Sequence, residues 1–348
     1  MGFSLRPLCS LRVHIVFNRP LMRAFPSLLP FPPVLPFPPV LSVSALPPWK
    51  PGRYPALAQL LKLYDLRMAG QLVRMAALGD LHCTKTSQGV LEPLFARIAE
   101  SADVLLIAGD LTDYGLPDEA RVLARELTTL HIPVAAVLGN HDYESDKQDE
   151  VRQILSDAGV VILDGDACEL HGIGIAGVKG FGGGFGKHAL GPWGERVIKQ
   201  FVREAIDEAL KLEAALARLR TTQRIALLHY SPVQQTVEGE PLEIFPFVGS
   251  SRLEEPIDRY PVSLVVHGHA HRGQLEGATK TGVPVYNVSV PLLTRSFPDR
   301  LTFRVFELPV GEASISETPP APSPVHIAPG RVPEPSLAVA GGAKRARP

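Results

Sequence analysis

Five short pieces of the chain carry carboxylate, amide and imidazole side chains, the donor types that bind divalent metal ions in proteins. The candidate ligands in these pieces are Asp80, His82, Asp110, Asn140, His229, His269 and His271. Each piece follows a short apolar run, and such runs predict buried strands that lead into loops. In chain order the runs are Leu72 to Leu78, Val104 to Ala108, Val134 to Leu138, Ile225 to Leu228 and Leu264 to Val266. Because ligands of α/β proteins bind at the carboxyl ends of strands, we expect the five pieces to meet at one site.

Any one of these residues could be purely structural, since a buried histidine is usually a hydrogen-bonded residue of the core or of a loop. Five pieces that all stand at strand ends are hard to explain by structure alone. His267 matches no ligand position, and we interpret it as a strand residue. Cys83 directly follows His82, and we interpret it as a small buried apolar residue rather than as a ligand.

The series of motifs resembles that of the calcineurin-like metallophosphoesterase superfamily, over about Leu72 to Leu308. The motifs that carry the resemblance are Asp80-Leu81-His82, Gly109-Asp110, Gly139-Asn140-His141-Asp142, His229 and Gly268-His269-Ala270-His271. Two positions differ from the phosphoprotein phosphatases of that superfamily, because Tyr114 replaces an Arg and Asp142 replaces a Glu. In both respects the chain is more similar to the bacterial phosphodiesterase-type branch.

The resemblance implies a metal-dependent hydrolase of phosphoric esters with two divalent ions, and the donor types suit Mn²⁺, Fe or Zn²⁺. Two ions about 4 Å apart can hold the attacking and leaving oxygens, and a hydroxide that bridges them is the expected nucleophile. The implied ligand sets are Asp80, His82 and His271 for one ion, Asn140, His229 and His269 for the other, and Asp110 as the bridge.

The resemblance also implies two catalytic residues, His141 and Asp142. His141 would protonate the leaving oxygen or donate a hydrogen bond to it, which suits a side chain that titrates near neutral pH. Asp142 would orient that imidazole and stabilise its charge. The alternative for Asp142 is a capping residue at the start of the helix that follows.

The charge balance limits the classes of ligand. The chain has 35 basic and 36 acidic residues, and this balance gives no electrostatic footprint for duplex nucleic acid or an anionic membrane. We therefore expect a small phosphate ester as substrate, either a diester or a phosphorylated metabolite. The alternatives are a nuclease of the same superfamily and an inactive binding module that retains the fold, although every ligand position and the acid position are filled.

The three cysteines, Cys9, Cys83 and Cys168, form no disulfide framework. Scattered free cysteines are typical of a reducing compartment, and we expect the protein to be cytoplasmic.

Composition divides the chain into three regions. Residues 1–67 hold thirteen of the 34 prolines and are predicted to be disordered or polyproline-like, or to precede the true start of translation. Residues 68–310 are predicted to form the metallophosphoesterase domain. Residues 311–348, rich in Pro and Ala, are predicted to be a disordered tail.

Strands and helices alternate in the first half of the predicted domain, and this pattern gives parallel strands with right-handed crossovers. A long helix is predicted from Trp193 to Leu219, before a second set of strands. We therefore predict an α/β fold in which two mixed β-sheets stack with helices outside, a four-layer α/β/β/α sandwich, and the resemblance implies the same. The loop from Ser231 to Gly249 lies between two metal motifs and is predicted to contact the substrate as a lid.

Overall fold

The computed structural model of the chain describes residues 72–298 and 302–310. The predicted leader at residues 1–67 and the predicted tail at residues 311–348 lie outside these ranges. Within the described ranges, no helix is both long enough and apolar enough to cross a membrane.

The described residues form two sheets with helices packed on them. The strands are β1 (Leu72–Leu78), β2 (Val104–Ala108), β3 (Val134–Val137), β4 (Val160–Ile162), β5 (Asp166–Leu170), β6 (Ile173–Val178), β7 (Gln223–Leu228), β8 (Leu264–His267), β9 (Glu276–Ala278), β10 (Pro284–Asn287) and β11 (Arg304–Pro309). The α-helices are α1 (Glu92–Ser101), α2 (Pro117–Leu127), α3 (Gln148–Asp157), α4 (Arg196–Arg218), α5 (Phe245–Val248), α6 (Glu254–Arg259) and α7 (Val290–Ser296). Short 3₁₀ turns lie at His141–Tyr143, Gly186–His188, Gln234–Val237 and Leu242–Ile244.

Both sheets are mixed. The first has the order β11-β1-β2-β3-β4, in which β1 to β4 are parallel and β11 is antiparallel to β1. The second has the order β5-β6-β7-β8-β10-β9, in which only the two outer strands are antiparallel to their neighbours. Parallel neighbours need a long crossover, which α1, α2 and α3 supply in the first sheet and α4 supplies between β6 and β7.

Successive residues of the strands face different hydrophobic layers, because side chains alternate across a sheet. The layer between the sheets contains Met75, Ala77, Ile175 and Leu227. The opposite face of the first sheet packs on its helices through Leu78, Phe95, Leu123 and Leu155. The outer face of the second sheet packs on α4 and α6 through Val178, Leu216, Leu228 and Ile257. The predicted four-layer α/β/β/α sandwich is confirmed.

The boundaries of several elements differ from the prediction. β1 and β2 begin and end as the apolar runs predict. The predicted long helix is three residues shorter at its start and one shorter at its end, and β9 is not predicted because its Glu-Gly-Ala sequence lacks apolar alternation. The predicted loop from Ser231 to Gly249 folds into two 3₁₀ turns and the short helix α5.

Candidate metal centre

The seven predicted ligands lie together at the carboxyl ends of strands from both sheets. Asp80, Asp110 and Asn140 follow β1, β2 and β3 of the first sheet. His229 follows β7, and the last motif follows β8, both in the second sheet. The expected convergence of the five pieces is therefore present in the fold.

Four of the seven residues have a left-handed backbone, which the sequence did not indicate. Their φ angles are 60° at Asp80, 45° at His82, 47° at Asp110 and 67° at His269. Such conformations cost a non-glycine residue about 1–3 kcal/mol each and persist where the surroundings enforce them. Here the backbone N–H of His269 donates to both carboxylate oxygens of Asp80, at 2.9 and 3.0 Å.

The first group of ligands contains Asp80, His82 and His271, whose donor atoms all lie within 4.8 Å of one another. His271 Nε2 donates to Asp80 Oδ1 at 3.0 Å, and this hydrogen bond raises the pKa of His271. Burial lowers the pKa of His82. Within the described part of the chain, neither ring nitrogen of His82 has a hydrogen-bond partner, although Nδ1 lies 3.3 Å from Asp113 Oδ1. Unsatisfied buried nitrogens beside two carboxylates fit a cation site.

The second group contains Asp110, His229 and His269, again within 4.8 Å, and Asn140 adjoins it. His229 is fully buried, and burial lowers its pKa well below the usual value. Its Nδ1 donates to the carbonyl of Ala108 at 2.9 Å, so the neutral ring has a lone pair on Nε2. His229 Nε2 lies 2.9 Å from Asn140 Oδ1 and 3.4 Å from Asp110 Oδ1. Three electron-rich atoms so close together fit a shared cation.

His269 has a fixed tautomer as well. Its Nε2 donates to the carbonyl of Phe247 at 3.1 Å, which leaves Nδ1 as the atom able to bind a metal. Burial lowers the pKa of His269 to about 3, so the ring is neutral near neutral pH. A neutral imidazole is the form that ligates metals.

Asp110 lies between the two groups. Its Oδ2 is 3.8 Å from His82 Nε2, and its Oδ1 is 3.4 Å from His229 Nε2. Burial and the nearby carboxylates of Asp80 and Asp142 raise its pKa well above the usual value. A buried carboxylate beside others is unfavourable when ionised unless a cation compensates it. The residues present therefore fit the divalent metals that the sequence predicts.

His141 is partly exposed, with 35% of its side chain accessible. Its Nδ1 donates to the carbonyl of Asp113 at 2.7 Å, so Nε2 is the nitrogen that can exchange a proton with a substrate. Its ring stands edge-on to His82, 4.6 Å between centroids. His141, His82 and Asp110 also form a third possible ligand group.

The hydrogen bonds of the Asp142 carboxylate point to a third role for this residue, in holding the loops of the centre. Its carboxylate accepts from the backbone N–H groups of Gly139, Leu111 and Thr112 and from the Thr112 hydroxyl, at 2.6–3.1 Å. It therefore joins two loops, whereas the Asp113 carbonyl holds the His141 ring. It caps no helix, since the residue before α3 is Lys147. The sequence does not indicate this role, because a contact across 30 positions of sequence leaves no local pattern.

The glycines of the motifs leave room for the carboxylates. A Cβ at Gly139 would lie 2.1 Å from Asp110 Oδ1, and one at Gly268 would lie 2.4 Å from Asp80 Oδ2. No side chain fits at such distances, so these positions need glycine for close approach rather than for flexibility.

Several residues at the centre were not among the predicted site residues. Tyr230 packs against His269 with the rings tilted by 48° and their centroids 4.5 Å apart, and Phe247 supplies the carbonyl that fixes the tautomer of His269. The position of Asp113, three residues after Asp110, could have indicated that it lies at the centre. A cavity of about 520 Å³ adjoins the centre, and its wall includes Asn140 and His271. His267 is a buried residue of β8, as predicted.

Comparison with known proteins gives a family and a fold. The sequence model of a family described as calcineurin-like phosphoesterase matches residues 73–273, more than half of the chain. Among solved structures, phosphopantetheinyl hydrolase from Mycobacterium tuberculosis has a TM-score of 0.52 and 17% identity, covering 68% of this chain and 96% of that one. A protein from Thermus thermophilus has a TM-score of 0.42 and 16% identity, and the match covers 69% of this chain and 100% of that one. No curated protein matched the chain.

Proposed function

Because the chain belongs to the calcineurin-like phosphoesterase family, whose members are metal-dependent hydrolases, we propose that it hydrolyses a phosphodiester or a small phosphorylated metabolite. We further propose that two divalent ions, Mn²⁺, Fe or Zn²⁺, serve the reaction. The net charge of −1 favours a small substrate over nucleic acid.

The observation that supports two ions is the position of Asp110 between two separate groups of ligands. Asp80, His82 and His271 would hold one ion, and Asn140, His229 and His269 would hold the other. Bound divalent ions would neutralise charge on the phosphoryl oxygens and make water a nucleophile near neutral pH. Asp110, with one oxygen towards each group, would touch both ions.

His141 is proposed as the general acid. Its Nδ1–H is committed to the Asp113 carbonyl, so a proton on Nε2 makes the ring cationic and can be released to the leaving oxygen. The carbonyl keeps the ring in one orientation in both protonation states, because Nδ1 donates in each. Asp142 would act indirectly, by holding the loops that carry Asp110 and His141.

The preference for diesters rests on Tyr114, which is 54% exposed and stands where phosphoprotein phosphatases carry an Arg. An Arg can bind a monoester dianion through two charge-assisted hydrogen bonds, whereas Tyr114 offers one neutral hydroxyl. A diester carries a single negative charge and loses less from this replacement.

Hydrolysis of bis-p-nitrophenyl phosphate with added Mn²⁺, compared with the chelated protein, tests the reaction. We expect metal-dependent hydrolysis, and no turnover under any metal would contradict the proposed function. The substrate class is tested by kcat/KM for a nitrophenyl diester, the matched monoester and a phosphopeptide. A kcat/KM for the phosphopeptide tenfold above that for the diester would contradict the diester preference. This factor corresponds to about 1.4 kcal/mol of transition-state binding.

A further inference from the structure

The cavity beside the centre is larger than a phosphoryl group requires. Its volume is about 520 Å³, within the range of roughly 300–1,000 Å³ that holds ligands of drug size. Three candidate ligands, Asn140, His269 and His271, form its inner wall. A phosphate held at the centre would therefore have a substantial part of its ester group in the cavity.

The outer wall of the cavity is apolar and exposed. Ile244 and Phe247 line it and are 39% and 57% exposed, although side chains of this kind are normally buried. The Phe247 ring packs edge-on against Phe201, 5.8 Å between centroids, so it is supported from outside the cavity. Tyr230, a buried residue, adds a second aromatic ring, which packs against His269 at a tilt of 48°. The Phe247 ring, supported on one side and open to solvent on the other, is suited to binding another ring.

The charged residues of the cavity have opposite signs. Glu240 and Arg272 both line it, and Glu240 Oε1 accepts the backbone N–H of Arg272 at 2.6 Å. One carboxylate and one guanidinium give a polar edge without net charge. This edge therefore has no excess positive charge that would attract a second phosphate or a carboxylate.

The position of the general acid indicates which half of a diester occupies the cavity. His141 is not among the described residues that line it. The leaving oxygen must contact His141, so the group in the cavity is the one that stays on phosphorus. We propose that the cavity binds an uncharged aromatic group retained on phosphorus, with Phe247 and Ile244 as specificity-determining residues. This proposal rests on the proposed function.

Two diesters that share the nitrophenolate leaving group test the proposal: methyl p-nitrophenyl phosphate and benzyl p-nitrophenyl phosphate. Both retained groups are alkyl-linked, so their intrinsic reactivities are similar. We expect kcat/KM to favour the benzyl ester by at least about tenfold, the usual effect of burying a ring. Phe247→Ala and Ile244→Ala should each reduce that ratio severalfold. Leu242→Ala is the matched control, because Leu242 is 74% exposed on the same segment but does not line the cavity.

Product binding gives a readout independent of turnover. Benzyl phosphate should inhibit competitively at lower concentration than methyl phosphate, and Phe247→Ala should remove that difference. Phe247→Ala keeps the backbone carbonyl that bonds His269, and unchanged metal content would verify this. The inference is overturned if kcat/KM is equal for the two diesters, or if neither Phe247→Ala nor Ile244→Ala changes the benzyl preference. Either result leaves the proposed function intact. Failure to hydrolyse either diester with any metal would instead overturn the proposed function.

Discussion

Three imidazoles of the centre each donate one ring N–H to a backbone carbonyl: His229 to Ala108, His269 to Phe247 and His141 to Asp113. A carbonyl oxygen only accepts, so each bond fixes the ring nitrogen that keeps its proton. The remaining nitrogen is Nε2 in His229 and His141 and Nδ1 in His269. The carbonyls thus determine which ring atom can meet a cation or a substrate.

Asp110→Asn should lose metal and activity together, while the metal-free protein keeps or gains stability. The amide oxygen can still accept the N–H of His141, but the buried charge beside Asp80 and Asp142 is gone. Metal analysis and the thermal midpoint in chelator measure the two effects separately. Asp118→Asn, an exposed carboxylate outside the centre, is the control. A variant with full metal content would contradict the position of Asp110 between two ions.

His141→Ala should keep its metals and lose about 10²–10⁴-fold in turnover, the usual contribution of acid–base assistance. The loss should be smaller with a nitrophenolate than with an alkoxide leaving group, because a good leaving group needs less protonation. Metal analysis decides between the two roles that geometry allows, since His141 also lies in a possible ligand group with His82 and Asp110. Metal loss in the variant would identify His141 as a ligand.

The loops after β2 and β3 are joined by the buried carboxylate of Asp142. Asp142→Ala should lower the free energy of unfolding by about 2–4 kcal/mol, because three buried N–H groups and a hydroxyl lose their acceptor. Urea unfolding in chelator measures this, and Asp118→Ala should change stability by about 0.5 kcal/mol or less. Near-normal stability of the variant together with an altered pH–rate profile would instead support the orienting role that the sequence predicts for Asp142.

The loop after β3 also depends on the absence of a side chain at Gly139, where a Cβ would lie 2.1 Å from Asp110 Oδ1. Gly139→Ala should therefore displace the third motif and lower both metal content and the thermal midpoint. Gly89→Ala is the matched control, because Gly89 has a φ of 75° but nothing within 4 Å of the added Cβ. It should cost only about 1–2 kcal/mol for the left-handed backbone. Similar behaviour of the two variants would contradict the steric argument.

The candidate centre draws its ligands from both sheets, so bound metal would link the two halves of the sandwich. Chelation should lower the thermal midpoint as well as abolish hydrolysis, since metal binds only the native arrangement. At a metal concentration of about 100 Kd the stabilisation is about 2.7 kcal/mol. In the Asp110→Asn variant, chelation should change the thermal midpoint only slightly. Full activity of a protein verified to contain no metal would contradict the assignment.

The alternation of short apolar runs with helical segments determined the layers of the molecule. A strand buried on both faces needs a continuous apolar run, and Val104–Ala108 is both predicted and buried throughout. The ends of these runs located the ligands as well, because a run stops where the chain leaves the sheet. The short edge strand β9 has no such pattern and is seen only in the structure.

The tertiary structure decided what lies beside each residue of the candidate centre. The partners of Asp142, the carbonyls that fix the imidazoles and the apolar wall of the cavity come from segments distant in sequence. Periodicity reports which face of an element is buried, a local property, whereas these contacts depend on the paths of loops between sheets. The residue types of the centre are therefore readable in the sequence, but the roles of Asp142 and Phe247 follow from packing alone.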